Sequence, residues 1–236
     1  MKLAIATPFY SMSGFAPYIK SLADSLRKLS ALGITWEYFD TCGDSYVDRA
    51  RNTLCARFLK SDCTHLLFID SDMGWDVQGL INILNSPFEL TGAAYPIKNA
   101  WDKFIEGAKF DTDHAPVQDE KTGLIEAYFV PAGFMLIARS CLEKLVAADP
   151  WNEYQTLDDG KEVCIYNFFE NIIDREKKVR VGEDIAFCNK WTALGGKIYI
   201  EPRISFVHCG MTAWPGNYND YLLKLCEIER IRRTAA

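Results

Sequence analysis

His65-Leu66-Leu67-Phe68-Ile69-Asp70-Ser71-Asp72 is the most hydrophobic short run in the chain, and it is stopped abruptly by a carboxylate, a hydroxyl and a second carboxylate. A run this short with consecutive apolar residues fits a strand buried on both faces, not a helix. Upstream, Ala4-Ile5-Ala6 reads as a first buried strand ended by Thr7-Pro8, and Phe15, Ile19, Leu22, Leu26 and Leu29 recur at helical spacing until Gly33. Ile34 to Phe39 is a second strand ending at Asp40, and Val47, Ala50, Leu54, Phe58 and Leu59 mark a second helix. Strand, helix, strand, helix, strand predicts an α/β fold with a mostly parallel central sheet flanked by helices. Ligands of such sheets collect beyond the carboxyl ends of the strands, where Thr7, Asp40 and Asp70 fall.

Downstream, a helix is expected over Val77 to Leu84 and strands over Leu90 to Tyr95 and Leu124 to Val130. Pro96 to Gly123 has weak periodicity and reads as loops with antiparallel edge strands. After Pro131-Ala132-Gly133, Ser140 and Glu143 have the spacing of a capping box. The stretch with Trp151, Asp158-Asp159-Gly160 and Asp174 to Arg180 reads as loop. Glu183-Asp184 opens an amphipathic helix closed by Gly195-Gly196. Strands over Lys197 to Glu201 and Ile204 to Val207 lead to His208, and a final helix spans Tyr221 to Arg232.

The composition sets limits on function. With 236 residues, 49% hydrophobic and 25% charged, the chain is long enough for one large core, and a single domain over 1–236 is expected. A net charge of −6 argues against a general polyanion-binding surface. The longest apolar stretch, Ala127 to Ala138, is interrupted by Pro131 and Gly133 and falls short of the roughly 20 residues a membrane span needs. The eight cysteines include no C-x-x-C pair, and Pro8 comes too soon for a signal-peptide core. Buried thiols in a reducing, cytoplasmic compartment are therefore expected.

Three clusters carry candidate chemistry. Asp70-Ser71-Asp72 can turn two carboxylates toward a divalent cation that takes hard oxygen ligands, though an isolated D-x-D is more often a strand-end turn. Glu183-Asp184 alone is what any helix N-terminus favours. His208 lies just past an apolar strand, where a histidine is commonly a satisfied rim residue.

Taken together and in order, Thr7-Pro8, Asp40, Arg51-Asn52, Asp70-Ser71-Asp72, Glu183-Asp184 and His208 resemble the GT-A glycosyltransferases, especially the family 2-like group with many bacterial and viral sugar transferases. The resemblance spans roughly Leu3 to Gly210. It implies a single GT-A (Rossmann-like) domain with a nucleotide-binding half over 1–95, an acceptor and catalytic half over 96–215, and a C-terminal helix over 216–236. Thr7, Pro8 and Asp40 would line base and ribose, Arg51 would lie against the nucleotide or its phosphates, and Asp70, Ser71, Ala132 and Gly133 would complete the donor site. Asp72, with Asp70 directly or through water, and His208 would hold Mn²⁺ or Mg²⁺. Asp184 would be the general base in inverting transfer, with Glu183 beside it. Tyr95-Pro96-Ile97-Lys98, Trp101, Trp151 and Trp214 are candidate acceptor-side residues, and Trp214-Pro215-Gly216 a candidate flap.

The implied activity is hexosyl or pentosyl transfer from a UDP-, GDP- or dTDP-linked sugar. The implied acceptor is a glycan, a glycoprotein or, with weaker support from the charge, a hydroxylated DNA base. The implied location is the cytoplasm, the host's if the chain is viral. Competing readings fare less well. A haloacid-dehalogenase-type phosphatase places its D-x-D after the first strand and a Thr or Val where Gly74 stands. A nucleotidyltransferase needs a glycine-rich basic loop, which Thr7 to Gly14 lacks, and no G-x-G-x-x-G follows the first strand. A nucleotide-sugar-binding module without turnover is the remaining alternative.

Overall fold

The computed structural model describes residues 1–98, 103–104 and 107–234, so Trp101 lies outside the described residues. In chain order the elements are β1 (Lys2–Phe9), α1 (Ala16–Ala31), β2 (Thr35–Cys42), α2 (Val47–Lys60), β3 (His65–Ile69), β4 (Met73–Trp75), α3 (Val77–Leu84), β5 (Leu90–Gly92), β6 (Ile125–Ala127) and β7 (Phe134–Ala138). They continue with α4 (Arg139–Ala148), β8 (Glu153–Asp158), β9 (Lys161–Tyr166), β10 (Ile172–Asp174), β11 (Val179–Val181), α5 (Glu183–Ala193), β12 (Ile198–Ile200), β13 (Ser205–Cys209), β14 (Ala213–Asn217) and α6 (Tyr218–Thr234).

Seven strands form the central sheet in the order β2-β1-β3-β7-β5-β12-β6. β2, β1, β3, β5 and β12 share one direction, while β7 and β6 run against them. The expected α/β class, with a mostly parallel sheet and a small antiparallel portion, is what the chain adopts. Alternation along β1 and β3 divides the core between the sheet's two faces. Ala4, Ala6, Leu66 and Phe68 pack with Leu54 and Phe58 of α2 on one side. Leu3, Ile5, Leu67 and Ile69 pack with Leu29 of α1 and Leu80 of α3 on the other.

Several boundaries differ from expectation for identifiable reasons. β1 does not stop at Thr7 but runs through Pro8 to Phe9, because β2 pairs with it as far as Phe9, while β3 pairs with it only to Ala6. Pro8 then has a neighbour on one side only, where its missing N–H costs least. The capping box at Ser140 does not form: α4 begins at Arg139 without a side-chain cap, and the Ser140 hydroxyl donates to Glu89. Arg139 instead turns back to donate to the Phe58, Leu59 and Ser61 carbonyls at the end of α2. The stretch after Trp151, expected as loop, contains two hairpins. Asp159 and Gly160 (φ 49° and 75°) make the two-residue turn between β8 and β9, and Lys178 (φ 56°) lies in the β10–β11 connection. Trp214-Pro215-Gly216 is not a flap but part of β14, paired to β13 in a three-stranded sheet with β4. All eight cysteines are free, and Cys42, Cys164 and Cys226 are exposed, contrary to the expectation of uniformly buried thiols.

Among the described residues no helix is long and apolar enough to cross a membrane.

Candidate functional site

The D-x-D turn is braced from three sides by backbone bonds. Asp70 N–H donates to Gly133 O (3.0 Å), Phe15 N–H to Ser71 O (3.1 Å) and Cys209 N–H to Asp72 O (2.8 Å). The end of β3 is thereby tied to the turn before β7, the start of α1 and the end of β13. The two aspartates consequently have fixed and different surroundings.

Asp70 faces Arg51 of α2, whose Nη2 donates to its carboxylate oxygens at 3.1 and 3.4 Å. The same guanidinium reaches Ala132 O and Glu183 Oε1, both at 3.4 Å, and is only 4% exposed. Burial works against its charge, but Asp70 and Glu183 outweigh burial and hold the group protonated. Arg51 therefore joins the first carboxylate of the D-x-D to the first carboxylate of the E-D pair. Burial also pushes the Glu183 carboxyl above its ordinary value, with Arg51 opposing and Asp184 reinforcing the rise. Asp184 sits in the first turn of α5, its Oδ1 accepting from Ile185 N–H (2.8 Å).

Asp72 faces the other way. One oxygen is ion-paired with Lys98 Nζ. Its Oδ1 is buried and has no hydrogen-bond partner among the described residues, and it lies 3.7 Å from His208 Nε2. The other ring nitrogen, Nδ1, lies 2.7 Å from Pro96 O. A carbonyl can only accept, so Nδ1 carries the hydrogen. Burial lowers the affinity of His208 for a second proton, although Pro96 and Asp72 oppose this, which leaves Nε2 as a bare lone pair.

Gly133 packs against the Tyr95 hydroxyl and Asp70. A Cβ on Gly133 would stand 2.4 Å from the Tyr95 hydroxyl and 2.9 Å from Asp70 Oδ2, so only glycine fits here. Burial, reinforced by Asp70 and Asp184, pushes the Tyr95 phenol far above its ordinary range and keeps it a donor.

The cleft beside the D-x-D encloses about 230 Å³ between Pro8 at the end of β1, Tyr10 just past it, Asp44, and Asp70 to Asp72. Asp44 also lines a second cleft of about 620 Å³, bounded by Cys42, Arg49 and the β8–β9 hairpin. Asp44 is gripped by Arg49 at 2.7 and 2.8 Å.

Of the residues expected at the site, Pro8, Asp70, Ser71 and Asp72 line this cleft. Ala132, Gly133, Arg51, Glu183 and Tyr95 are linked to it through Asp70. Thr7 is fully buried, its hydroxyl bonded to Tyr18 (2.7 Å). Asp40 lies at the end of β2, with an oxygen accepting from Cys42 Sγ (3.4 Å). Asn52 is turned inward to hold the Phe169 backbone through both ends of its amide. Trp151 is 88% exposed on the turn before β8. Asp44 was not singled out by the sequence; its signal was its position just past the carboxyl end of a parallel strand. Lys98 was expected on the acceptor side, and its pairing with Asp72 crosses 26 residues of chain that no local pattern encodes.

The donor set around Asp72 suits a divalent ion. One buried, unpaired carboxylate oxygen faces one imidazole lone pair, and the histidine's other nitrogen is anchored to a backbone carbonyl, an arrangement typical of metal-bound histidines. A mixed oxygen and nitrogen pair fits Mn²⁺ better than Ca²⁺.

No protein-family model matches the sequence, and no curated protein matches it. Among solved structures, the crystal structure of A197 from STIV is similar at 17% identity over 89% of this chain and 86% of that one, with a TM-score of 0.52. That likeness is one of fold. More distant are S. aureus TarS 1-349 (12% identity, 97% of this chain and 65% of that one, TM-score 0.42) and a glycosyltransferase involved in glycosylation of the major capsid of PBCV-1 (11%, 64% and 69%, TM-score 0.35).

Proposed function

We propose that this chain is a metal-dependent glycosyltransferase that moves a sugar from a nucleoside diphosphate to an acceptor hydroxyl. The observation that carries the reading is the facing pair of acceptors, Asp72 Oδ1 and His208 Nε2. It lies beside a cleft at the carboxyl end of β3 and is linked through Asp70 and Arg51 to the E-D pair of α5. A strand-end turn that merely satisfied backbone amides would not leave a buried carboxylate oxygen opposite a lone pair.

In this reading Asp72 and His208 hold Mn²⁺ or Mg²⁺, which when bound supplies charge stabilisation to the departing diphosphate. Residues 1–95 provide the nucleotide half: the small cleft takes the phosphates and the larger one, across Asp44, the ribose and base. Residues 96–215 provide the catalytic half. Asp184 accepts the proton of the acceptor hydroxyl as that oxygen attacks the anomeric carbon, giving inversion in a single displacement. Arg51 keeps Glu183 and Asp70 in register, so that base and donor meet at a fixed separation. The acceptor is a hydroxyl on a glycan or glycoprotein.

The reading is tested by incubating the protein with Mn²⁺ and each common UDP-, GDP- and dTDP-sugar and following release of the nucleoside diphosphate. Metal-dependent release with one donor, abolished by Asp72→Ala, is expected. No release and no binding of any nucleotide would sink it.

A further inference from the structure

Lys98 stands where two functions meet. Its ammonium is paired with the Asp72 oxygen opposite the one that faces His208. Its stem passes beside Gly210, where an added Cβ would lie 3.4 Å from Lys98 Cδ. The neighbouring residue is also fixed, with Ile97 N–H donating to Lys103 O (2.9 Å). The side chain is nonetheless 41% exposed, so its head group is free to exchange partners with a ligand entering from solvent. Asp72 thus holds a resident cation on one oxygen and turns the other toward the lone pair of His208.

We propose that Lys98 competes with a divalent ion for Asp72 when the donor is absent, and carries its charge to the donor diphosphate when both bind. This rests on the transferase reading above. A divalent ion on Asp72 Oδ1 places three positive charges around one carboxylate, so the metal alone is opposed by Lys98. A nucleoside diphosphate adds negative oxygens at the same place and turns the opposition into attraction. Metal and nucleotide then favour one another, and by linkage each raises the other's affinity by the same factor. Lys98 is the residue that makes the factor large. Its contribution is to binding order: it weakens the site's hold on metal until the donor arrives.

The test measures Mn²⁺ binding by electron paramagnetic resonance of the free ion, with and without UDP, GDP or dTDP, against protein-free controls for chelation. Wild type, Lys98→Met and Lys98→Arg are compared, with circular dichroism as a folding check. In wild type the nucleotide that binds should tighten Mn²⁺ on the order of tenfold or more. Lys98→Met should bind Mn²⁺ alone more tightly than wild type and lose most of that enhancement. Lys98→Arg, which keeps the charge, should retain it. If wild type shows the enhancement and Lys98→Met leaves both affinities unchanged, the role of Lys98 is overturned while the transferase reading stands. If wild type binds neither Mn²⁺ nor any of the nucleotides, both are overturned.

Discussion

Asp72 Oδ1 stands 3.7 Å from His208 Nε2, and neither atom has a hydrogen to offer the other. The histidine's hydrogen is committed to Pro96 O, and the aspartate's other oxygen to Lys98. A buried oxygen left in this state costs free energy. It is useful only when a cation or a bridging donor arrives.

Mn²⁺ should therefore stabilise the fold. At a hundredfold excess over its Kd, linkage contributes about 2.7 kcal/mol, or roughly 5–10 °C in Tm for a chain of this size. Asp72→Asn and His208→Ala should each remove the shift in a thermal melt. Because His208 binds protons less readily than an ordinary histidine, the shift should hold at neutral pH. It should fade only on the acid side of the usual histidine value, as the imidazole becomes charged.

Arg51 gives a prediction about stability and chemistry together. Its guanidinium is buried between Asp70 and Glu183, and removing it leaves two carboxylates without their cation. Arg51→Met should cost about 3–5 kcal/mol in urea unfolding, the usual penalty for breaking a buried ion pair from one side. Arg51→Lys should recover part of the stability. A single ammonium cannot span both carboxylates as a planar fork does, so Lys should recover little of kcat. Recovery of full kcat by Lys would show that charge alone suffices.

Gly133 and Tyr95 should behave as a coupled pair. An alanine methyl at 133 meets the Tyr95 hydroxyl at 2.4 Å, and Gly133→Ala should destabilise by about 1–3 kcal/mol, as overpacking does. Tyr95→Phe deletes the offending oxygen. In a double-mutant cycle the combined variant should be more stable than the two single losses predict, because the shortest of the clashes is gone while the ring carbon at 2.8 Å and Asp70 at 2.9 Å remain. Additivity would mean that the Tyr95 hydroxyl is not what takes the clash.

What the sequence made legible follows from the range of each interaction. The strand His65–Ile69 and the helix Val77–Leu84 are found where expected, because their patterns are local and uninterrupted. β7 was harder to place. Its residues Phe134–Ala138 are apolar enough for a central strand, but only the fold shows that it runs between β3 and β5 and against both. The β8–β9 hairpin carried a visible Asp-Gly turn signal that the surrounding polar residues obscured. At the site, the acidic motifs were readable as types and spacings. The partners that give them different roles were not. Arg51 reaches Glu183 across 132 residues and Asn52 reaches Phe169 across 117, and no periodicity links positions so far apart.

Glu183 supplies the last prediction, on pH. Its carboxyl is protonated more readily in the folded chain than in the unfolded one, since burial outweighs the help of Arg51. The folded state therefore binds more protons through the window above the ordinary glutamate value. Stability contributed by this group is complete at acid pH and is lost as pH rises through the raised folded value. Glu183→Gln removes that titration. The difference in Tm between Glu183→Gln and wild type should grow in favour of the variant as pH is raised from about 4 toward 7, and should flatten below the ordinary carboxylate value. Thermal melts across that range decide it. A difference that stayed constant with pH would mean that Glu183 titrates alike in both states, and that Arg51 fully compensates its burial.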